Sequence, residues 1–146
     1  MNREPGMTLI VKTITRLTVG LILMYGIYIV LHGHLTPGGG FAGGVIVALS
    51  FVHLMLAFGK EVALKKLSTS LAGALESIGG LLFVTIALLG FIGGYFFLHI
   101  YGKGQPFALF GAFMVLLANI AISLKVGAGL FLVLVMIVLA RSEDGK

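Results

Sequence analysis

The sequence predicts an all-α integral membrane protein with four transmembrane helices and both termini in the cytoplasm. Three observations predict it. Of the 146 residues, 59% are hydrophobic and 10% charged, against about 45–50% and about 25% in ordinary soluble domains. The mean hydropathy is +1.15. The apolar residues also gather into four runs long enough to cross ~30 Å of hydrocarbon, and most basic residues lie between those runs. A chain this poor in charge cannot clothe a water-soluble surface, and it is far too apolar for disorder, whose signature is low hydrophobicity.

The first span is expected over residues 10–31, where Leu17–Leu31 is lengthened backwards by Ile10–Thr15 and Lys12 and Arg16 can snorkel to the interface. Leu31 is followed by HGHL rather than a small-x-small cleavage site, so the run is expected to remain a helix and not to be removed as a signal peptide. The second span is expected over 41–58. The third, over 74–100, lies within the apolar run Leu71–Tyr101, and the fourth, over 108–140, within Phe107–Ala140. Together they make one four-helix membrane domain over residues 1–146. The last two runs, 31 and 34 residues long, exceed the bilayer and must tilt, kink or project from it. Gly79, Gly80, Gly93 and Gly94 in the third run, and Gly127 and Gly129 in the fourth, are the expected places to bend.

Orientation follows from the basic residues. Arg3, Lys12 and Arg16, then Lys60, Lys65 and Lys66, then Arg141 and Lys146 all fall on one side of a four-span chain, while Lys103 alone falls on the other. The positive-inside rule puts the first set, and both termini, in the cytoplasm. The same distribution explains the pI of 9.8: the basic residues flank apolar runs and form no phosphate-binding face, so nucleic acid is not an expected partner. With no Cys, there is no disulfide framework, thiolate nucleophile, or Cys-ligated zinc or iron–sulfur centre. No nucleophile–base set is evident either. The chain is expected to bind no cofactor and to be no enzyme by itself.

The most distinctive stretch is His32–Gly44, reading HGHLTPGGGFAGG. Gly38, Gly40 and Gly43 match the dinucleotide pattern G-x-G-x-x-G, with Glu61 acidic 18 residues later, but that motif needs a strand before it and a βαβ unit around it. Here it joins two membrane helices. Thr36 can cap the second helix, with Pro37 in its first turn. Gly39/Gly43 and Gly40/Gly44 are small-xxx-small pairs that allow close helix approach. The alternative is an anion, or a carboxylate of a neighbouring subunit, at the helix N-terminus.

His32 and His34 form an H-x-H pair without the further ligands that zinc requires, so the expectation is an interfacial histidine bonded to the turn, with a proton relay as the alternative. His53 and His99 read as satisfied packing residues. Lys125 lies 19 residues after Pro106 and 16 before Arg141, near mid-membrane by that count. A lysine there costs upwards of about 2.5 kcal/mol on insertion scales and should face protein or water. It is a candidate for ion coupling or for a structural ion pair. Glu76 on the third run is a candidate partner, through a bend or a water, because the axial offset by helix rise is about 10 Å. Asn119 is expected to hydrogen-bond across helices. Lys125, Glu76, Asn119 and His34 are thus the candidate ion-translocation or coupling residues.

Gly33–Gly44, GHLTPGGGFAGG, resembles the signature of the B subunit of Mrp-type multisubunit sodium/proton antiporters, and the chain's length and four spans are similar to that family. In the second stretch, NIAISLKVGAG over Asn119–Gly129, antiporter members have Phe-Asp-Ile-Gly-Val, whereas this chain has Asn119 and adds Lys125. That departure is more similar to the counterpart subunits of archaeal membrane-bound hydrogenases and sulfur-reducing respiratory complexes. The resemblance implies a non-catalytic subunit in the cell membrane, within a large hetero-oligomer that moves sodium ions and protons. Its partners would be other membrane subunits, and any redox chemistry would belong to hydrogenase or sulfur-reductase subunits. A stand-alone antiporter subunit, a purely structural spacer and a homo-oligomeric transporter are the alternatives.

The native absence of Cys allows a direct test of topology. Single cysteines at Ser68 and Gly104 should react with a membrane-impermeant maleimide from opposite sides, Ser68 from the cytoplasm; labelling of both from one side contradicts the four-span reading.

Overall fold

A computed structural model describes residues 7–33, 35, 37–92 and 109–143. It contains five helices among these residues: α1 (Leu9–Leu31), α2 (Gly39–Phe58), α3 (Lys60–Lys66), α4 (Thr69–Ile92) and α5 (Leu109–Glu143). All but α3 are long and apolar enough to cross a membrane. They form a row in which α2 packs on α1 and on α5, and α4 covers the other side of α5; α1 touches α5 lightly.

Local signals explain the boundaries. Gly38, with φ 109°, precedes α2, and Gly59, with φ 91°, follows it; both lie in a region of backbone space that side chains other than glycine's rarely enter. Gly59 ends α2 with its N–H bonded to Met55 O at 2.9 Å and turns the chain into α3, a short helix not expected from the sequence. α3 buries Ala63 and Leu67, just beyond its end, beneath its lysines. Glu61 in its first turn and Lys65 and Lys66 in its last each complement the helix dipole. Ser68 then caps α4, its Oγ accepting from Leu71 N–H at 3.2 Å, so α4 starts at Thr69 and not at the expected 74. The expected continuation of the third span to 100 lies outside the described residues.

Apolar packing is concentrated where α2, α3 and α4 meet the second half of α5. Met55, Ala63, Leu67, Ala72, Ala128, Phe131 and Val135 form the buried cluster. Phe51 meets the fully buried Phe131 edge-on, ring centroids 5.8 Å apart. On the other side of α2, the His53 ring lies 3.3 Å from both Thr15 Oγ1 and Thr18 Oγ1. Thr18 spends its hydroxyl proton on Ile14 O at 3.0 Å and can only accept from the ring, which places the imidazole proton on Nε2. His53 is therefore a satisfied α1–α2 contact. His99 lies outside the described residues.

The glycines expected as places to bend leave both long helices unbroken where they are described. α4 is continuous through Gly79 and Gly80, and α5 through Gly127 and Gly129; Gly93 and Gly94 lie outside the described residues. With 35 residues, α5 rises about 52 Å, well beyond the ~30 Å of hydrocarbon. Gly79 and Gly127 are contact points instead. A Cβ on Gly79 would stand 2.8 Å from Ala121 O and Lys125 N, and one on Gly127 3.2 Å from Gly44 O.

The glycine run of α2 works on two faces. Gly40 and Gly44 meet α5: a Cβ on Gly40 would run into the Asn119 carbonyl and one on Gly44 would lie 2.9 Å from Ser123 O. Gly43 meets α1, where a Cβ would strike the Val30 side chain and lie 2.9 Å from Gly26 O. Gly40/Gly44 is thus a true small-xxx-small face, while the expected Gly39/Gly43 pair divides, Gly39 meeting Asn119 and Gly43 meeting α1.

These contacts set an expected contrast. Gly40→Ala should destabilise the purified protein by about 1–3 kcal/mol, the range for overpacking, and lower its thermal unfolding temperature in detergent. Gly20→Ala, where a Cβ would meet nothing within 4 Å, should leave that temperature unchanged or raise it. Equal behaviour of the two variants would contradict the packing account.

Candidate functional site

Two polar features of the described residues define the candidate site, one at the start of α2 and one between α4 and α5. The first is built on Asn119. A helix N-terminus leaves its first N–H groups without internal partners, and a side-chain oxygen at the cap position ordinarily satisfies the second or third of them. The cap position of α2 is Gly38, which provides no such bond. The expected cap, Thr36, lies outside the described residues, and Pro37 precedes the helix instead of opening it. The cap comes from another helix: Gly40 N–H, the second in α2, donates to Asn119 Oδ1 at 3.1 Å.

This bond fixes the orientation of the Asn119 amide, since only its oxygen can face an N–H. Nδ2 therefore turns towards Gly33, where a Cβ would stand 2.6 Å away; it is buried and makes no hydrogen bond. Gly33, Gly39 and Gly40 all close on this one side chain. The end of α1 joins the same knot through Gly33; just before it, the His32 backbone N–H bonds Tyr28 O at 3.0 Å. Its Nδ1 lies 3.1 Å from that carbonyl, and its ring stacks on Tyr28 with centroids 4.1 Å apart. His34 lies outside the described residues.

The second feature is an ion pair. Lys125 Nζ lies 3.3 Å from Glu76 Oε1. The contact is direct, which corrects the expected water bridge. The expectation levelled both helices at their ends, whereas Gly79 lets α4 settle against Ala121 and Lys125 and sets a register that brings the two side chains together. Gly80 lies beside the lysine and Gly129 beside the carboxylate.

Depth can be gauged on α2, whose 20 residues rise about 30 Å. Ser123 and Gly127, flanking Lys125, face Gly44, and Gly127 also faces Val47, a third of the way along that helix. Lys125 is thus inside the span, nearer the α1–α2 turn than its midpoint. The pair leaves 55% of the lysine and 36% of the glutamate exposed at the side of the chain. Charges uncovered in hydrocarbon are strongly unfavourable, so this side requires protein or water against it. Among the described residues no group of three or more His, Asp or Glu could hold a metal ion.

The sequence matches, over residues 10–132, the domain family described as related to the MnhB subunit of Na+/H+ antiporters. The chain belongs to this family. A Bacillus subtilis protein, by its name the B subunit of a Na+/H+ antiporter, is 36% identical over 114 residues, covering 72% of this chain and 79% of its own length. An uncharacterized protein of Methanocaldococcus jannaschii is 38% identical over 117 residues, covering 75% of this chain. The match spans 44% of that archaeal relative's length, so the chain corresponds to less than half of it.

Within the MnhB-related domain, both resembling stretches prove to be one place. Gly33, Gly39 and Gly40 from the first surround Asn119 from the second, and Ser123 and Gly127 continue the contact along Gly44. Sequence reasoning missed the roles of Gly26, Gly79 and Ser123; the i, i+4, i+8 spacing of Asn119, Ser123 and Gly127 was the available signal.

The geometry predicts how position 119 responds to substitution. Asn119→Leu should leave Gly40 N–H buried and unpaired, a cost of about 1–3 kcal/mol, and lower the thermal unfolding temperature. Asn119→Asp keeps an acceptor and adds a negative charge at a helix N-terminus, and should retain or raise that temperature. Equal loss in both variants would contradict the cap.

Proposed function

We propose that the chain is a non-catalytic membrane subunit of an Mrp-type sodium/proton-translocating module. In this reading the Asn119-centred turn holds α1, α2 and α5 together, and the Lys125–Glu76 pair takes part in ion movement. The observation that carries it is a charged pair kept inside an apolar helix face of an MnhB-related domain; ionisable groups at such depth mark ion pathways and couplings. In this reading both termini face the cytoplasm, supported by the basic residues that flank the spans. The chain binds no cofactor in this reading, and sodium ions and protons are the transported species.

A second reading attaches the same module to an archaeal hydrogenase-type or sulfur-reducing complex. It is favoured by Asn119, where antiporter members have an aspartate, and by the Methanocaldococcus relative. Purification in mild detergent tests both: a hetero-oligomer of membrane subunits is expected, with iron present in the second case and absent in the first. A homo-oligomer contradicts both.

Participation in ion movement is tested at Lys125. Lys125→Met leaves the Glu76 carboxylate without its cation inside the span, which is unfavourable there, so complex yield should fall. Lys125→Arg should preserve yield and lower ion-coupled activity, because a guanidinium keeps its proton. Full coupled activity in the arginine variant would leave the pair a purely structural role.

A further inference from the structure

We infer that the outer face of α4 and α5 around Glu76 and Lys125 is the surface on which a helix of another membrane subunit docks, and that this helix presents a hydrogen-bond acceptor to the lysine. An ammonium carries three N–H donors, and Lys125 gives one to Glu76. Among the described residues no other acceptor reaches it, and more than half of the side chain faces outward. Lipid tails offer no acceptor, so a bare lysine here would leave donors unsatisfied in hydrocarbon.

The surroundings fit a helix as occupant. Gly73 and Gly80 flank Glu76 on α4, one turn away on either side. A Cβ on Gly73 would meet nothing within 4 Å, and one on Gly80 would meet only the lysine stem, at 3.6 Å or more. The backbone of α4 is therefore open to close approach beside the charges. The acceptor is a side-chain carboxylate or amide, since a helix in hydrocarbon spends its backbone carbonyls on its own N–H groups. This assignment rests on the reading of the chain as a subunit of a larger assembly.

The test uses that assembly, purified in mild detergent, with the photocrosslinker p-benzoylphenylalanine in place of Gly73. Irradiation in the native membrane is expected to join this position to a transmembrane helix of a different subunit, with Asp, Glu, Asn or Gln within one turn of the crosslinked residue. Lipid adducts alone, no adduct, a crosslink to a second copy of this chain, or a partner helix without such a residue would each overturn the inference.

The charge swap Glu76→Lys with Lys125→Glu provides an independent measurement, because it restores the internal pair but turns a carboxylate towards the partner's acceptor. Co-purification of partner subunits should fall at least tenfold while the chain still accumulates in the membrane; undiminished co-purification overturns the inference. If the swapped chain fails to accumulate, the crosslink decides. Should the wild-type chain purify alone, the subunit reading itself fails; should it purify in the assembly without the Gly73 crosslink, only the docking face fails.

Discussion

The hydrogen bond from Gly40 N–H to Asn119 Oδ1 is the constraint around which the described structure is arranged. A glycine-rich helix start provides no capping side chain, and the N–H of the buried Gly40 cannot turn to water. The donor is satisfied from α5, 79 residues away in sequence, and this fixes how closely α2 and α5 approach. Close approach in turn demands glycine at 40 and 44 and small residues at 123 and 127. Gly33 and Gly39 complete the enclosure of the amide, drawing the end of α1 into the same contact.

Register propagates from there. With α5 fixed against α2 by Asn119, Ser123 and Gly127, its opposite side is turned to α4, where Gly79 seats against Ala121 and Lys125. That contact brings Glu76 directly to Lys125. The turn between the first two spans and the intramembrane charge are thus two ends of one chain of contacts across α5. In lipid, where hydrophobicity does not drive helices together, packing of small residues and a few interhelical hydrogen bonds carry such an arrangement.

Much of this was legible in the sequence. Four spans follow from apolar length, and the glycine turn stood out by its composition. The burial of Gly40 and Gly44 against another helix follows from their spacing of four. What composition could not reveal was pairing between distant segments. Local signals look for a capping residue just before its helix, and nothing local indicates that a residue in the fourth span supplies an acceptor to Gly40. Gly79 and Gly127 looked like hinges because a glycine's role, bend or contact, depends on the neighbour it faces. The Lys125–Glu76 offset was overestimated because helices longer than the bilayer need not be level at their ends.

The central claim, that Asn119 caps α2 from a different helix, can be measured directly by solid-state NMR in lipid bilayers. With glycine labelled with ¹⁵N and asparagine with ¹³C at Cγ, the dipolar coupling between the Gly40 amide nitrogen and Asn119 Cγ reports their separation. An N···O hydrogen bond of 3.1 Å predicts a distance of about 4 Å and a readily detected coupling. Absence of coupling at the Gly40 amide would contradict the account.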